Sequence, residues 1–200
     1  MKVLITGACG HIGSFLAENI HKIKSISKVI LVDNLKSNRF NSLYNLEKKN
    51  KNKFGDIFEG HLSNEKIFAL KPKEFMNLSG ISIKKFLDFY KINIKNLLII
   101  HDDIDLPLGK IKIKIGGGNA GHRGLKSIDS LIGKNYKRIR IGVDRPKNNK
   151  NVDKFVLENF EKTEEKEIKF SINRIISFLQ YLISSDTNDI SVLMNKLSKK

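Results

Sequence analysis

Two runs close together in this chain constrain its fold more than anything else in it. Leu97-Leu98-Ile99-Ile100 is apolar at every position and leads into His101-Asp102-Asp103, whereas Lys110-Ile111-Lys112-Ile113-Lys114-Ile115 alternates strictly. A strand apolar throughout must be covered on both faces, while a strictly alternating strand has one face in the core and one in water. A chain carrying both, with helical patterns between its strands, is expected to be an α/β fold: a single domain whose central mixed sheet is flanked by helices. Two hundred residues suffice for one sizeable core and rarely for two.

Other segments fit that layout. Val3-Leu4-Ile5 and Val29-Ile30-Leu31-Val32 read as buried strands, with an amphipathic helix between them carrying Ile12, Phe15, Leu16, Ile20 and Ile23. Ile67-Phe68-Ala69-Leu70 reads as a strand stopped by Pro72. Helices are expected over 82–90, 124–131 and 163–184, and a further alternating strand over 138–143. Residues 36–55 are polar, rich in Lys and Asn and without a sustained period, which predicts a loop, with a helical turn near Leu43 to Leu46. The last residues, from Lys196, are expected to fray.

Charge narrows the partners. Lys and Arg number 37 against 21 Asp and Glu, a formal net charge of +16, so the surface favours polyanions, nucleic acid first. A Lys- and Asn-rich composition by itself is the other source of such a charge. Cys9 is the single cysteine, which excludes an internal disulfide framework and fits a reducing compartment. No apolar run approaches the length of a membrane span, and Met1 leads straight into a strand-like run without a signal-peptide layout. A cytoplasmic protein with no membrane partner is the expectation, and a monomer.

Candidate chemistry gathers at strand ends and glycine turns, where α/β proteins keep their sites. Asn77 follows a strand and precedes a helix, and its amide can hold a water or a carbonyl oxygen. Asp102 leaves an apolar strand, where it could orient a histidine and raise its basicity. The Gly116 to Gly121 run can bring backbone N–H groups close to a phosphate or sugar. Each signal is weak alone: Asn before a helix is more often a cap, an acid after a strand is often a solvated turn residue, and His101 or His122 alone reads as structural.

Together, Phe75-Met76-Asn77-Leu78-Ser79-Gly80, His101-Asp102-Asp103-Ile104-Asp105-Leu106-Pro107 and Gly116-Gly117-Gly118-Asn119-Ala120-Gly121-His122-Arg123-Gly124-Leu125-Lys126 resemble the bacterial peptidyl-tRNA hydrolase family, in order and spacing. Arg138-Ile139-Arg140-Ile141-Gly142 and Phe155-Val156-Leu157 also fit it, and the likeness runs from near Phe54 to the C-terminus. The resemblance implies hydrolysis of the ester between a stalled peptide and its tRNA, with no metal or cofactor. It implies that Asp102 keeps a catalytic histidine basic, that Asn77 positions substrate and water, and that Phe75 lines the substrate site. Lys110, Lys112 and Lys114, on one face of a strand, become candidate contacts to the tRNA backbone. The family usually has Asn where this chain has Arg123, which cannot accept a hydrogen bond but can clamp phosphate.

The opening departs from that family, which normally begins with a strand, a Gly-Asn-Pro-Gly turn and a Thr-Arg-His-Asn segment carrying the catalytic histidine. Here stands Thr6-Gly7-Ala8-Cys9-Gly10-His11-Ile12-Gly13, with Asp33 some twenty residues later. This resembles the start of extended short-chain dehydrogenases, the NAD-dependent sugar epimerases, in which Gly7, Gly10 and Gly13 would admit a pyrophosphate and Asp33 would bond a ribose. The matching Tyr-x-x-x-Lys pair and the remaining Rossmann strands are missing, so NAD binding is not expected and these positions read as vestigial. The division is then a βαβ segment over 1–50 and a peptidyl-tRNA hydrolase-like body over 51–200, with the seam between Leu46 and Asp56. His21 lies at nearly the spacing of the missing histidine and is the candidate base, with His11 closer to the turn, against the plainer reading of each as a surface or capping histidine.

Three functions follow. The first is a tRNA-directed esterase, active or impaired by the exchanged opening. The second is a tRNA-binding protein without catalysis, and the third a fragment of an NAD-dependent sugar-nucleotide epimerase. The esterase needs a histidine near Asp102 and Asn77, the binder only salt-sensitive tRNA affinity, and the epimerase a cofactor cleft with a Tyr/Lys pair.

Overall fold

The computed structural model describes residues 4–6, 30–32, 47–52, 54–62, 65–72, 74–146, 152–156 and 158–184. The strands are β1 (Leu4–Thr6), β2 (Ile30–Val32), β3 (Glu47–Asn52), β4 (Gly55–Leu62), β5 (Glu65–Pro72), β6 (Leu98–Asp103), β7 (Ile111–Ile115) and β8 (Lys137–Gly142). The helices are α1 (Ser79–Phe89), α2 (Arg123–Ile132), α3 (Val152–Phe155) and α4 (Lys162–Ser184). A 3-10 turn, Met76–Leu78, precedes α1. The result is an α/β fold with a mixed open sheet flanked by helices, as the strand patterns predict.

The two constraining runs behave as their patterns require. In β6, Leu98, Ile99 and Ile100 are all at most 2% exposed, and the strand runs parallel to β8. β7 runs antiparallel to β8, with Ile111 and Ile113 buried and Lys112 and Lys114 in water. β1 and β2 pair in parallel, β1 lies against β6 and β2 against β5, so the opening strands bridge the two larger sheet segments. The expected helix over 12–23, together with Gly7, Gly10, Gly13, His11, His21 and Asp33, lies outside the described residues, as does Leu43 to Leu46.

One expectation fails. Within the predicted loop of 36–55, Glu47–Asn52 forms β3, antiparallel to β4, and β4 itself starts at Gly55. Glu-Lys-Lys-Asn-Lys-Asn has no hydrophobic alternation because β3 is an edge strand of the β3-β4-β5 sheet. Its pairing comes from the backbone, and a charged edge strand resists further pairing. The short strand expected at 67–70 extends over Glu65–Pro72 by pairing along the whole of β4.

An aromatic cluster seats this hairpin on α1. Phe68 lies 5.6 Å from Phe86 and 4.6 Å from Tyr90, and Phe54 lies 5.4 Å from Phe89, measured between ring centroids. The buried stripe of α1 is Ile83, Phe86 and Leu87, three of the four positions its period predicts, with Tyr90 half-buried at the helix end. On α4, Ile168, Ile172 and Ile175 are buried as expected. Ile176, Leu179 and Leu182 of the same predicted stripe have side chains outside the described ones.

Gly80 brings α1 and α2 into close contact. A Cβ there would run into the Ser127 backbone carbonyl, and the Gly80 N–H donates to Ser127 Oγ at 3.1 Å. Backbone cannot swing aside as a side-chain tip does, so Gly80→Ala is expected to cost about 1–3 kcal/mol, read as a lower urea midpoint at unchanged slope.

Candidate active site

Two motifs meet at Gly124. With no Cβ there, Met76 Sδ and the His122 ring can both close on this residue, at 2.9 Å and 3.0 Å from the point a Cβ would occupy. The turn carrying Asn77 is thereby docked on the start of α2, beside His122. Asn77 does not cap α1: the cap position belongs to Leu78, and the Asn77 amide, exposed, bonds no described residue. The plainer reading of Asn77 as a cap is thus removed. Phe75 is 61% exposed, and Met76 and Leu78, its neighbours in the same turn as Asn77, are also exposed.

The third motif supplies the acid. Asp102, near the end of β6, accepts a hydrogen bond from His122 Nε2 at 3.3 Å through Oδ1. Burial pushes the Asp102 carboxyl up, but the hydrogen bond from His122, then the charges of His122 and His101, hold it below the usual carboxylate range. For His122, burial works against the charged form, yet the bond to Asp102 and that carboxylate's charge outweigh it and raise the imidazole's basicity. The other nitrogen of His122, Nδ1, accepts from the Leu125 N–H at 3.2 Å and caps α2.

His101 is a different kind of histidine. It is 5% exposed, its Nδ1–H donates to the Asp102 carbonyl oxygen at 2.7 Å, and its ring meets His122 edge-on with centroids 5.1 Å apart. Its Nε2 is buried without a hydrogen-bond partner among the described residues. Burial first, then the neighbouring His122, lower its pKa to about 4, so it is neutral at physiological pH. Asp103, next along the strand, accepts from Arg140 Nε at 2.6 Å and from the Asp105 N–H at 2.9 Å; burial pushes it up, and these bonds pull it below the ordinary range.

The glycine turn is shaped from beneath by Arg138. This residue is 2% exposed and donates to the carbonyls of Gly116, Gly117 and Gly118, the last two at 2.5 Å and 2.9 Å. Gly116 and Gly117 have φ of 64° and 90°, a region L side chains avoid, which is why this turn needs glycine. Asn119 is tied to Asp129 of α2 at 3.2 Å, and the same carboxylate accepts from the Tyr136 hydroxyl at 2.7 Å.

Sheet register collects the positive charge. Lys112 stands opposite Arg140, and Lys114 opposite Arg138, so four cationic residues share one face of β7 and β8. Arg138 is taken up by the glycine carbonyls and Arg140 by Asp103, so the charge this face offers an anion is that of Lys112 and Lys114. Lys110, just before β7, is exposed as well, and Arg123 is exposed at the first position of α2. Among the described residues no cluster of His, Cys, Asp and Glu is arranged to hold a metal. Among them too, no helix is long and apolar enough to cross a membrane.

The three motifs that sequence order separates are therefore brought together. Sequence reasoning passed over His122, reading it as structural when taken alone. The signal was present, since a histidine between a glycine turn and a helix start is placed to cap, and its ring then has a second nitrogen to offer. The Asp103–Arg140 and Arg138–glycine contacts had no comparable signal.

Comparisons with known proteins place the chain in a family. A family model described as peptidyl-tRNA hydrolase matches residues 27–200, beginning well before the likeness expected from Phe54. A peptidyl-tRNA hydrolase of Rickettsia canadensis is 44% identical over 155 residues, 77% of this chain and 82% of that protein. That of Rickettsia prowazekii is 45% identical over 157 residues, 76% and 85% of the two chains. Among solved structures, a variant of peptidyl-tRNA hydrolase from Acinetobacter baumannii superposes with a TM-score of 0.78 at 26% identity, over 99% of this chain and 94% of the other. The match to the family model over residues 27–200, with relatives at 44% and 45% identity, means that this chain belongs to the peptidyl-tRNA hydrolase family.

Proposed function

We infer that this chain hydrolyses the ester between peptide and tRNA, releasing tRNA from stalled peptidyl-tRNA. The observation that carries this reading is the Asp102–His122 pair, with the turn that carries the unengaged Asn77 amide docked beside His122 at Gly124. In this assignment Asn77 holds the attacking water or the developing oxyanion, Asp102 orients the base, and Phe75 lines the peptide side. Lys110, Lys112, Lys114 and Arg123 take the phosphates. No metal or cofactor enters the proposed reaction.

The base is the open role. His122 has both nitrogens engaged, and His101 is buried with a pKa of about 4. Ester hydrolysis near neutrality needs a base with a nitrogen free for water, which His122 lacks, and one that is not pushed as far down as His101. We assign it to His21, outside the described residues. Purified chain incubated with peptidyl-tRNA, with a tRNA-binding titration alongside, tests the assignment. Cleavage that His21→Ala abolishes supports it, cleavage that His21→Ala leaves unchanged removes His21 from the mechanism, and salt-sensitive binding without cleavage leaves a tRNA-binding protein.

Phosphate contacts have their own signature. Lys112→Ala and Lys114→Ala should each flatten the dependence of log affinity on log salt by about 0.7–0.9, the contribution of one phosphate contact. A slope that neither substitution changes would place the tRNA elsewhere.

For the opening we keep the division at about residue 50, with 1–50 a βαβ segment of dehydrogenase–epimerase type; the parallel pairing of β1 with β2 is compatible with it, although the hydrolase family match already begins at residue 27. Gly7, Gly10, Gly13 and Asp33 are assigned no present ligand, so NAD should leave the melting temperature unchanged. A cytoplasmic monomer completes the reading.

A further inference from the structure

We propose that His122 is a positioning residue that fixes the Asp102 carboxylate and the start of α2 with a single ring, and so acts on the reaction through Asp102. The inference rests on the hydrolase reading above and deepens it.

The hydrogen bonds determine the tautomer. Nδ1 accepts from the Leu125 N–H at 3.2 Å, so in the neutral ring the proton sits on Nε2, where it is donated to Asp102 Oδ1 at 3.3 Å. Histidine is not among the favoured N-cap residues, and Ser, Thr, Asn or Asp would serve a cap alone better. A histidine there is explained by its second nitrogen, which reaches an acid 20 residues back in sequence. The ring is confined by Gly124 on one side, with Cε1 3.0 Å from the point a Cβ would occupy, and by His101 edge-on at 5.1 Å.

The consequence for Asp102 is orientation. With Oδ1 held by His122, the side chain still keeps 40% exposure. The carboxylate is thus fixed on one side and open on the other to a base or a water. His122 cannot take a proton on Nδ1 without giving up the cap, since a protonated Nδ1 would point a donor at the Leu125 N–H. Its part is therefore to hold, not to activate water.

The two bonds can be separated by substitution in the full chain. In His122→Asn the side-chain oxygen stands close to the place of Nδ1, keeping the cap, while the side chain is too short to reach Asp102. In His122→Gln the longer amide can donate to Asp102 but caps poorly. For His122→Asn we expect a melting temperature near the parent's, KM for peptidyl-tRNA within about twofold, and kcat lowered about 10–100-fold, the usual effect of losing a supporting hydrogen bond to a functional ligand. His122→Gln should melt lower yet keep more kcat than His122→Asn. A parental kcat in His122→Asn would overturn the proposal, as would a kcat that simply follows melting temperature across both variants.

A second readout does not need turnover. The Asp102 carboxyl, faced by His122 and His101, can be titrated by carbon-13 NMR, and His122→Asn should move its midpoint up toward the ordinary carboxylate range. An unchanged midpoint sinks the positioning role even if the parent chain cleaves nothing. A parent that cleaves nothing while the midpoint moves sinks the hydrolase reading alone.

Discussion

Asp102→Asn is expected to slow cleavage of peptidyl-tRNA by about a hundredfold to ten-thousandfold, the range seen when an acid that orients a histidine is neutralised. The substitution keeps the shape and removes the charge. Asn at this position can meet His122 Nε2–H only with its carbonyl, which turns its NH2 toward the base. A donor then stands where an acceptor is required, and the wrong tautomer of the base is favoured. The loss corresponds to about 3–5 kcal/mol of barrier. Single-turnover cleavage should fall while tRNA affinity changes little, because Asp102 is not part of the cationic face. A fall of less than about threefold would remove Asp102 from the catalytic machinery.

The second large effect is on stability and is set by pH. His101 is neutral in the folded protein down to about pH 4, against an ordinary imidazole value of 6.5 in the unfolded chain. Below pH 6.5 the unfolded state therefore takes up a proton that the folded state refuses. The stability His101 contributes is fully present above that pH, falls steadily as pH drops toward 4, and is then spent. Across that window the loss is roughly 3 kcal/mol, a large share of a small domain's stability.

The neighbouring groups do not blur this slope. Asp102 and Asp103, held below the carboxylate value of 3.8, add an acid loss that begins only nearer that value. His122, raised above 6.5, contributes a stability that is fully present below 6.5 and is lost as pH rises through its own folded value, so it adds no acid loss in this window. Urea denaturation at a series of pH values should show the slope in the parent chain. In His101→Asn, which can still donate to the Asp102 carbonyl, the slope between 6.5 and 4 should be absent. Equal slopes in the two proteins would mean that another group governs acid lability.

Much of this molecule was legible without coordinates because its patterns are local. Leu98 to Ile100 and Ile111 to Ile115 announced a doubly covered strand and a half-wet one, and burial in β6 and β7 follows them. The periods of α1, α2 and α4 predicted those helices to within a few residues at either end. β3 was missed because its strand character lies in the partner and not in its own side chains. An edge strand of Glu, Lys and Asn carries no period to read.

The candidate site divides the same way. Which residue types are present, and that Asn77, Asp102 and the glycine turn belong to one ester-cleaving family, were decided by sequence alone, since motif order and spacing survive without three dimensions. That Asp102 meets His122, that Asp103 is tied to Arg140, and that Arg138 holds three glycine carbonyls from below were decided only by tertiary structure. The physical reason is that hydrogen bonds and charge effects act over a few ångströms. Residues 20 to 37 positions apart come that close only once the strands have paired and the helices have packed.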